Sequence, residues 1–197
     1  MKHWIWAIVF CALSREYCEG SDIWFFHGMD NPGIEFFLYP VSSGIQTVDT
    51  EKYQGAPVLE VHLAGEAPSG VGFKRQTEYN FASDLRNAKL KFACRAITDP
   101  STLKVALLTS ESDHRQLISQ IEKPITAEKK WTEVSIPLTD FLKDGAYHYC
   151  YDAEQQQAFP NPDTPFDMRR VQSVKFENDA LKPCDIYIAD VRIEVAD

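Results

Sequence analysis

The chain has 197 residues, of which 44% are hydrophobic and 25% charged, a composition typical of a globular domain and unlike that of a disordered or low-complexity chain. Twenty Lys and Arg residues stand against 29 Asp and Glu residues, so the formal net charge is −9 at pH 7. Because so acidic a surface repels phosphate groups, we expect neither a nucleic-acid partner nor an anionic membrane surface as a binding site.

The first twenty residues have the pattern of a secretory signal peptide. A basic start is followed by an uncharged, mainly apolar run at residues 4–13, which is shorter than the roughly 20 residues that span a bilayer. Cleavage is expected after Ser14 or after Gly20, so residues 1–20 are assigned to the signal peptide and 21–197 to a single domain. The alternative is a buried N-terminal strand or helix. We expect a secreted, periplasmic or extracellular protein.

The rest of the chain predicts short strands separated by clusters of Gly, Pro, Asn and Asp. Alternation with period two is clear at 58–63, 87–96 and 171–177. One helical turn is predicted at 139–142 and another at 77–86. Trp131 is expected in the core. In chain order, strands are predicted at 21–26, 33–41, 58–63, 70–74, 87–96, 104–109, 117–121, 131–138, 171–177 and 185–195. This pattern indicates an all-β sandwich or barrel.

The five cysteines are Cys11, Cys18, Cys94, Cys150 and Cys184. Cleavage after Ser14 would leave four of them and cleavage after Gly20 would leave three. Cys150 and Cys184 both lie in loop-like sequence and are the candidate disulfide pair. Cys94 lies in an apolar strand, which predicts a buried free thiol. No CxxC pair is present, so the sequence does not support a zinc knuckle or a thioredoxin-type site.

A long polar and aromatic insertion at 143–167 is expected to form a loop that carries a binding site. Aromatic rings that pack on the C–H faces of a sugar, next to side chains that hydrogen-bond hydroxyls, are what saccharide binding requires. A second aromatic cluster at 24–26 is expected to close one end of the core. The candidate ligand-binding residues are Tyr147, Tyr149, Tyr151, Trp24 and Gln155. The alternative is that the insertion packs onto a sheet.

Several segments in order resemble a known family. They are the passage 80–92, the stretch WTEVSIPLTDF at 131–141, the closing strands at 171–176 and 185–193, and an early strand at 54–61. Together they resemble carbohydrate-binding modules of the galactose-binding-like β-sandwich type. The resemblance implies a jelly-roll of two antiparallel sheets that binds polysaccharide or oligosaccharide without cleaving it, and we expect a monomer.

The same resemblance implies a structural calcium ion near the first and last strands. Modules of this type often have two adjacent acidic residues in the last strand, where this chain has Ala189 and Asp190. Asp190 and Asp49 are the candidate ligands, since calcium prefers carboxylate oxygens. The alternative is that both simply face solvent.

Two other functions are open at this point. A jelly-roll glycoside hydrolase or polysaccharide lyase would need paired carboxylates or a base, for which Glu133, Asp140 and the segment Asp113-His114-Arg115 are weak candidates. No HExxH, GxSxG or P-loop motif is present. The other alternative is a sandwich domain that binds a protein instead of a glycan. We expect the non-catalytic binding module.

Overall fold

The computed structural model describes residues 22–28, 33–39, 42–65, 68–110, 117–143, 147–152, 157–160, 166–178 and 180–196. These residues form strands and one short helix. In chain order the elements are β1 (Ile23–Phe26), β2 (Ile34–Tyr39), β3 (Gly44–Tyr53), β4 (Ala56–Leu63), β5 (Ser69–Tyr79), β6 (Ala88–Ala96), β7 (Ser101–Thr109), β8 (Leu117–Ala127), β9 (Thr132–Pro137), α1 (Leu138–Phe141), β10 (Tyr147–Asp152), β11 (Gln157–Pro160), β12 (Val171–Asn178) and β13 (Cys184–Val195).

The strands form two antiparallel sheets. The six-stranded sheet has the order β3-β4-β13-β6-β9, and β1 also pairs with β13. The seven-stranded sheet has the order β11-β10-β8-β7-β12-β5-β2. One apolar cluster draws side chains from both sheets, as expected for a sandwich. The predicted two-sheet antiparallel β-sandwich is therefore confirmed. Within the described residues, no helix has the length and apolar character needed to cross a membrane.

Alternating side chains decide which face of each strand is buried. In β12, Val174 and Phe176 lie in the core. Lys175 and Glu177, which alternate with them along the strand, lie on the outer face. Phe176 makes an edge-to-face contact with Phe92 of the other sheet, with ring centroids 5.0 Å apart. This contact joins the two sheets in the middle of the core.

Three regions differ from the predicted elements. No helix forms at 77–86, because β5 continues to Tyr79 and turns follow it. β3 was not predicted, since its sequence is largely polar; it lies at the edge of the six-stranded sheet, where polar side chains stay hydrated. Residues 143–167 contain β10 and β11, which extend the seven-stranded sheet, so the tyrosine-rich segment is a strand and not a loop. The helical turn after β9 is confirmed as α1.

The prediction that Trp131 is a core residue is wrong. In β9 the side chains that pack against the core are Val134 and Ile136. Trp131 belongs to the opposite alternation and is half-buried on the outer face, where its ring contacts Tyr53 and Tyr187. The predicted alternation of side chains along β9 is correct, but the set that contains Trp131 faces outward and not into the core.

Two thiols are buried in the six-stranded sheet. Cys94 and Cys184 are both free, so the predicted disulfide between Cys184 and Cys150 is wrong, whereas the free thiol at Cys94 is confirmed. Burial raises the pKa of Cys94 to about 11 and also raises the pKa of Cys184. Both residues are therefore protonated and poorly nucleophilic at neutral pH.

We expect Cys94 and Cys184 to resist alkylation by iodoacetamide in the native protein at pH 8 and to react fully in 6 M guanidinium chloride. Burial withholds both the thiol and its thiolate from the reagent. Peptide mapping by mass spectrometry measures each site separately. A peptide pair linked through Cys150 and Cys184, or rapid native alkylation of Cys94, would contradict the arrangement.

Candidate functional site

The outer face of the seven-stranded sheet carries polar and aromatic side chains in register. Along one row the strands align Phe37, Gly72, Lys175, Ala106 and Glu122. We call this surface the seven-strand face and define it by the outward side chains that lie in this part of the sheet. They are Phe37, Tyr39, Lys104, Gln120, Glu122, Lys175 and Glu177.

A chain of hydrogen bonds and ion pairs forms the floor of the seven-strand face. The Nζ of Lys175 donates to Oε1 of Gln120 at 2.5 Å and to Oε2 of Glu177 at 2.6 Å. The amide of Gln120 donates to Glu122 at 3.1 Å, and Nζ of Lys104 lies 2.7 Å from the same carboxylate. Lys175, Glu177 and Glu122 are at most 5% exposed. Because each buried charge has an opposite partner, the network holds its donors and acceptors in fixed positions.

Two aromatic rings lie beside this floor, over glycines. A Cβ atom added at Gly72 would meet the Phe37 ring at 2.1 Å, and one added at Gly70 would meet Tyr39 at 2.4 Å. Both rings therefore occupy the space that a side chain would otherwise fill. The Tyr39 hydroxyl donates to Glu177, and the Lys175 ammonium lies 5.3 Å from the Tyr39 ring centroid. Aromatic surface and hydrogen-bonding groups thus adjoin on one face.

Gly72→Ala is expected to displace the Phe37 ring while leaving the fold intact, since the clash involves the far end of a side chain. The affinity of the seven-strand face for an oligosaccharide, the ligand that the sequence predicts, should fall about tenfold. This is a loss of about 1.4 kcal/mol of binding free energy. Gly44→Ala is the matched control, because the nearest atom to its new Cβ is 3.8 Å away. Isothermal titration calorimetry measures both variants, and equal affinities for the two would show that the position of the Phe37 ring is immaterial.

The backbone of β10 places the predicted tyrosines on the same sheet. Tyr147 pairs with Glu122, Tyr149 with Gln120, and Tyr151 with a residue further along β8. The strand thus lies next to the strand that supplies part of the polar floor. Gln155 lies outside the described residues.

The structure does not bring Trp24 together with these tyrosines. Trp24 lies on β1 in the six-stranded sheet, where its ring centroid is 4.3 Å from that of His27 and 4.8 Å from the Arg192 guanidinium. Its neighbours Phe25 and Phe26 are 1% exposed and belong to the core, as predicted for this cluster. The sequence-predicted site residues therefore divide between the two sheets.

The surroundings of the two candidate calcium ligands, Asp190 and Asp49, differ from each other. A carboxylate oxygen of Asp190 lies 2.9 Å from Nδ1 of His27, and Asp49 is exposed within β3. In the part of the chain that the structure describes, no three His, Cys, Asp or Glu side chains gather into a metal-binding group. Calcium binding by Asp190 and Asp49 stays a prediction.

Sequence reasoning missed the side chains of the polar floor and both rings over the glycines. The strand pattern at 33–41 and 171–177 was recognised, but alternation does not tell which set faces outward. One signal was available: charged residues alternate with apolar ones at Lys175 and Glu177, which marks them as the outward set. The glycines at 70 and 72, spaced by two, indicated a close approach on the same face.

Comparison with known proteins agrees with this architecture. Residues 26–195 match the family model described as Carbohydrate binding domain 30. No curated protein matches the chain significantly. A crystal structure of a family 30 carbohydrate-binding module is similar with a TM-score of 0.64 and 15% identity, covering 89% of this chain and 99% of that one.

Two further solved structures share the fold. A family 11 carbohydrate-binding module from Clostridium thermocellum, in complex with a β-1,3-1,4-mixed-linked tetrasaccharide, has a TM-score of 0.65 and 10% identity over 89% of this chain and 95% of that one. An agarase has a TM-score of 0.56 and 13% identity over 90% of this chain and 26% of its own. Because the family model spans most of the sequence, the chain belongs to the Carbohydrate binding domain 30 family.

Proposed function

We propose that the seven-strand face binds a polysaccharide chain reversibly and breaks no bond. The observation that carries this proposal is the placement of Phe37 and Tyr39 over Gly72 and Gly70, next to the fixed polar floor. Rings of this kind pack on the apolar C–H faces of pyranoses. The more accessible groups beside them, the Lys104 ammonium and the Tyr39 hydroxyl, then hydrogen-bond the hydroxyls around the ring edge, while the buried charges beneath hold them in position.

The charge balance of the face favours a neutral saccharide. Lys175 is paired with Glu177, and Lys104 is paired with Glu122, so neither sign of charge is in excess on the floor. A charged sugar would have to displace one of these partners and leave a buried charge uncompensated. The family 11 neighbour with a bound mixed-linked β-glucan tetrasaccharide supports a neutral glucan as the first ligand to test.

We also propose that Tyr147, Tyr149, Tyr151 and Gln155 take part in this binding. The register of β10 against β8 supports the three tyrosines, because it places their backbone beside Gln120 and Glu122. The proposal includes secretion and a monomeric protein. The support for secretion is the signal-peptide pattern of residues 1–20.

The test is affinity electrophoresis in gels that contain mixed-linked β-glucan, a soluble cellulose derivative or agarose. We expect retardation in at least one gel, an approximately tenfold weaker interaction for Phe37→Ala, and a weaker one for Tyr149→Ala. The melting temperature of Tyr149→Ala should stay within a few degrees of the wild-type value. His62→Ala, an exposed change on the other sheet, is the control and should bind normally.

Each negative result removes a defined part of the proposal. Unchanged retardation of Phe37→Ala would remove the seven-strand face from the site, and unchanged retardation of Tyr149→Ala would remove β10. Retardation by no glycan would instead favour a protein partner. Incubation with the retarding polysaccharide should release no new reducing ends and no unsaturated products; such release would indicate a glycan-cleaving enzyme.

A further inference from the structure

A second aromatic surface lies on the outer face of the six-stranded sheet. Tyr53 and Trp131 have ring centroids 4.9 Å apart, and Trp131 and Tyr187 have centroids 6.4 Å apart. The rings are half-buried and pack on small buried residues, among them Ala93 and Ala189. We call the three rings the Trp131 platform. It is separate from the seven-strand face, because the two lie on opposite sides of the sandwich.

Polar contacts hold the Trp131 platform in place. The guanidinium of Arg95 lies 5.6 Å from the Trp131 ring centroid and 5.0 Å from that of Tyr187. Arg95 donates to Glu51 at 2.8 Å, and the indole nitrogen of Trp131 donates to the same carboxylate at 3.3 Å. Rings that are fixed before a ligand arrives lose little conformational entropy on binding.

The hairpin between β3 and β4 reaches across this face and forms one wall of an open cavity. Tyr53 at the end of β3 donates a hydrogen bond to Glu133 on β9, although β13 and β6 lie between β4 and β9 in the sheet. The cavity beneath has a volume of about 230 Å³. Tyr53, which lines it, also belongs to the Trp131 platform, so cavity and platform are continuous.

The cavity is lined mainly by hydrogen-bonding groups. Of its three cations, Lys91 and Arg192 each have an ion-pair partner, and Lys89 has none among the described residues. Lys91 lies 2.6 Å from Glu194, and Arg192 lies 2.9 Å from Asp22. Glu133 accepts hydrogen bonds from Tyr53 and Gln54. Burial and the bond to Glu133 raise the pKa of Tyr53 to about 12, which keeps its phenol protonated as a donor. The lining therefore offers both donors and acceptors, which is what the hydroxyls of a sugar require.

Two residues that line the cavity have a left-handed backbone conformation. Among the described residues, the two non-glycine residues with positive φ are Gln54 at 51° and Asp190 at 52°, and both line the cavity. Gln54 reaches this conformation in the tight turn with Gly55, and Asp190 at a bulge in β13. The two-residue turn requires this conformation at Gln54 and the bulge accounts for it at Asp190, so the two local structures fix the backbone at the cavity wall.

From these observations we propose that the cavity and the Trp131 platform form a second saccharide site, which takes the end of a neutral oligosaccharide. One terminal sugar ring enters the cavity and the next ring packs on the platform. The ligand class rests on the proposed function, but the site itself does not involve the seven-strand face. With a site on each side of the sandwich, one molecule joins two polysaccharide chains.

The test is isothermal titration calorimetry with the mixed-linked β-glucan tetrasaccharide. Ser135 is exposed and lines the cavity, so Ser135→Tyr fills the space without removing a contact of the fold. We expect the wild type to bind two tetrasaccharide molecules per protein molecule. Ser135→Tyr and Phe37→Ala should each bind one, and the double variant should bind none. Lys52→Ala, in the same hairpin, is the control and should keep two equivalents.

The outcomes separate the two proposals. One wild-type equivalent that Phe37→Ala abolishes and Ser135→Tyr leaves unchanged would overturn the second site and leave the seven-strand face standing. One wild-type equivalent that Ser135→Tyr abolishes and Phe37→Ala leaves unchanged would support the second site and overturn binding at the seven-strand face. As an independent readout, the wild type should make a dilute β-glucan solution turbid, whereas either single variant should not.

Discussion

Lys175→Met is expected to lower the free energy of unfolding by about 3–5 kcal/mol, the usual cost of removing one partner of a buried ion pair. The Lys175 side chain is 5% exposed and bridges Gln120 and Glu177. Without its ammonium, the buried Glu177 carboxylate loses the cation that lies 2.6 Å from it. Urea unfolding followed by tryptophan fluorescence measures the loss, with the denaturant dependence expected to stay constant.

A double variant separates the loss of the ion pair from a loss of packing. Lys175→Met combined with Glu177→Leu removes both charges, so it should recover a substantial part of the stability lost by Lys175→Met alone. The Tyr39 hydroxyl loses its acceptor in this double variant, which limits the recovery. A double variant that is as unstable as the sum of the single ones would show that the two charges do not act as a pair.

Phe176→Ala is expected to lower the free energy of unfolding by about 3–5 kcal/mol, as large truncations in a core do. Phe176 is 0% exposed, and its ring contacts Phe92 at 5.0 Å and Phe73 at 6.1 Å between centroids. Its removal leaves a cavity where the two sheets meet. Thermal unfolding by circular dichroism should show a melting temperature lower by roughly 10 °C.

Leu181→Ala provides the comparison, because Leu181 is 86% exposed and an exposed leucine contributes little to stability. A change within about 0.5 kcal/mol is expected. If Phe176→Ala were as mild as Leu181→Ala, the core would have closed around the missing ring, and the contact between sheets would matter less than its position suggests.

The sequence was sufficient for the strands that alternate strongly. Segments such as 87–96 bury every second residue, and the structure has β6 at Ala88–Ala96. β3 escaped prediction because an edge strand buries few side chains and so carries little alternation. Trp131 was misplaced for a related reason: period two defines two faces but does not say which one the other sheet covers.

The candidate site was predictable only in part. The tyrosines of β10 drew attention through their composition, and the sheet does hold them next to β8. The polar floor depends on strands that lie far apart in the chain, since Lys175 and Gln120 are 55 residues apart. Such a pairing is set by the topology of the whole sheet, which no local pattern contains.

The position of β13 has a consequence for how the protein folds. This strand comes last among the elements, yet it pairs with β1, β4 and β6 and lies inside its sheet. During synthesis, those three strands have no central partner until β13 leaves the ribosome. Most strand pairings in the two sheets join strands that are not consecutive in the sequence. Such distant pairings are typical of domains that fold in milliseconds to seconds. Until β13 has emerged, the unpaired edges of β1, β4 and β6 are open to chaperones or to aggregation.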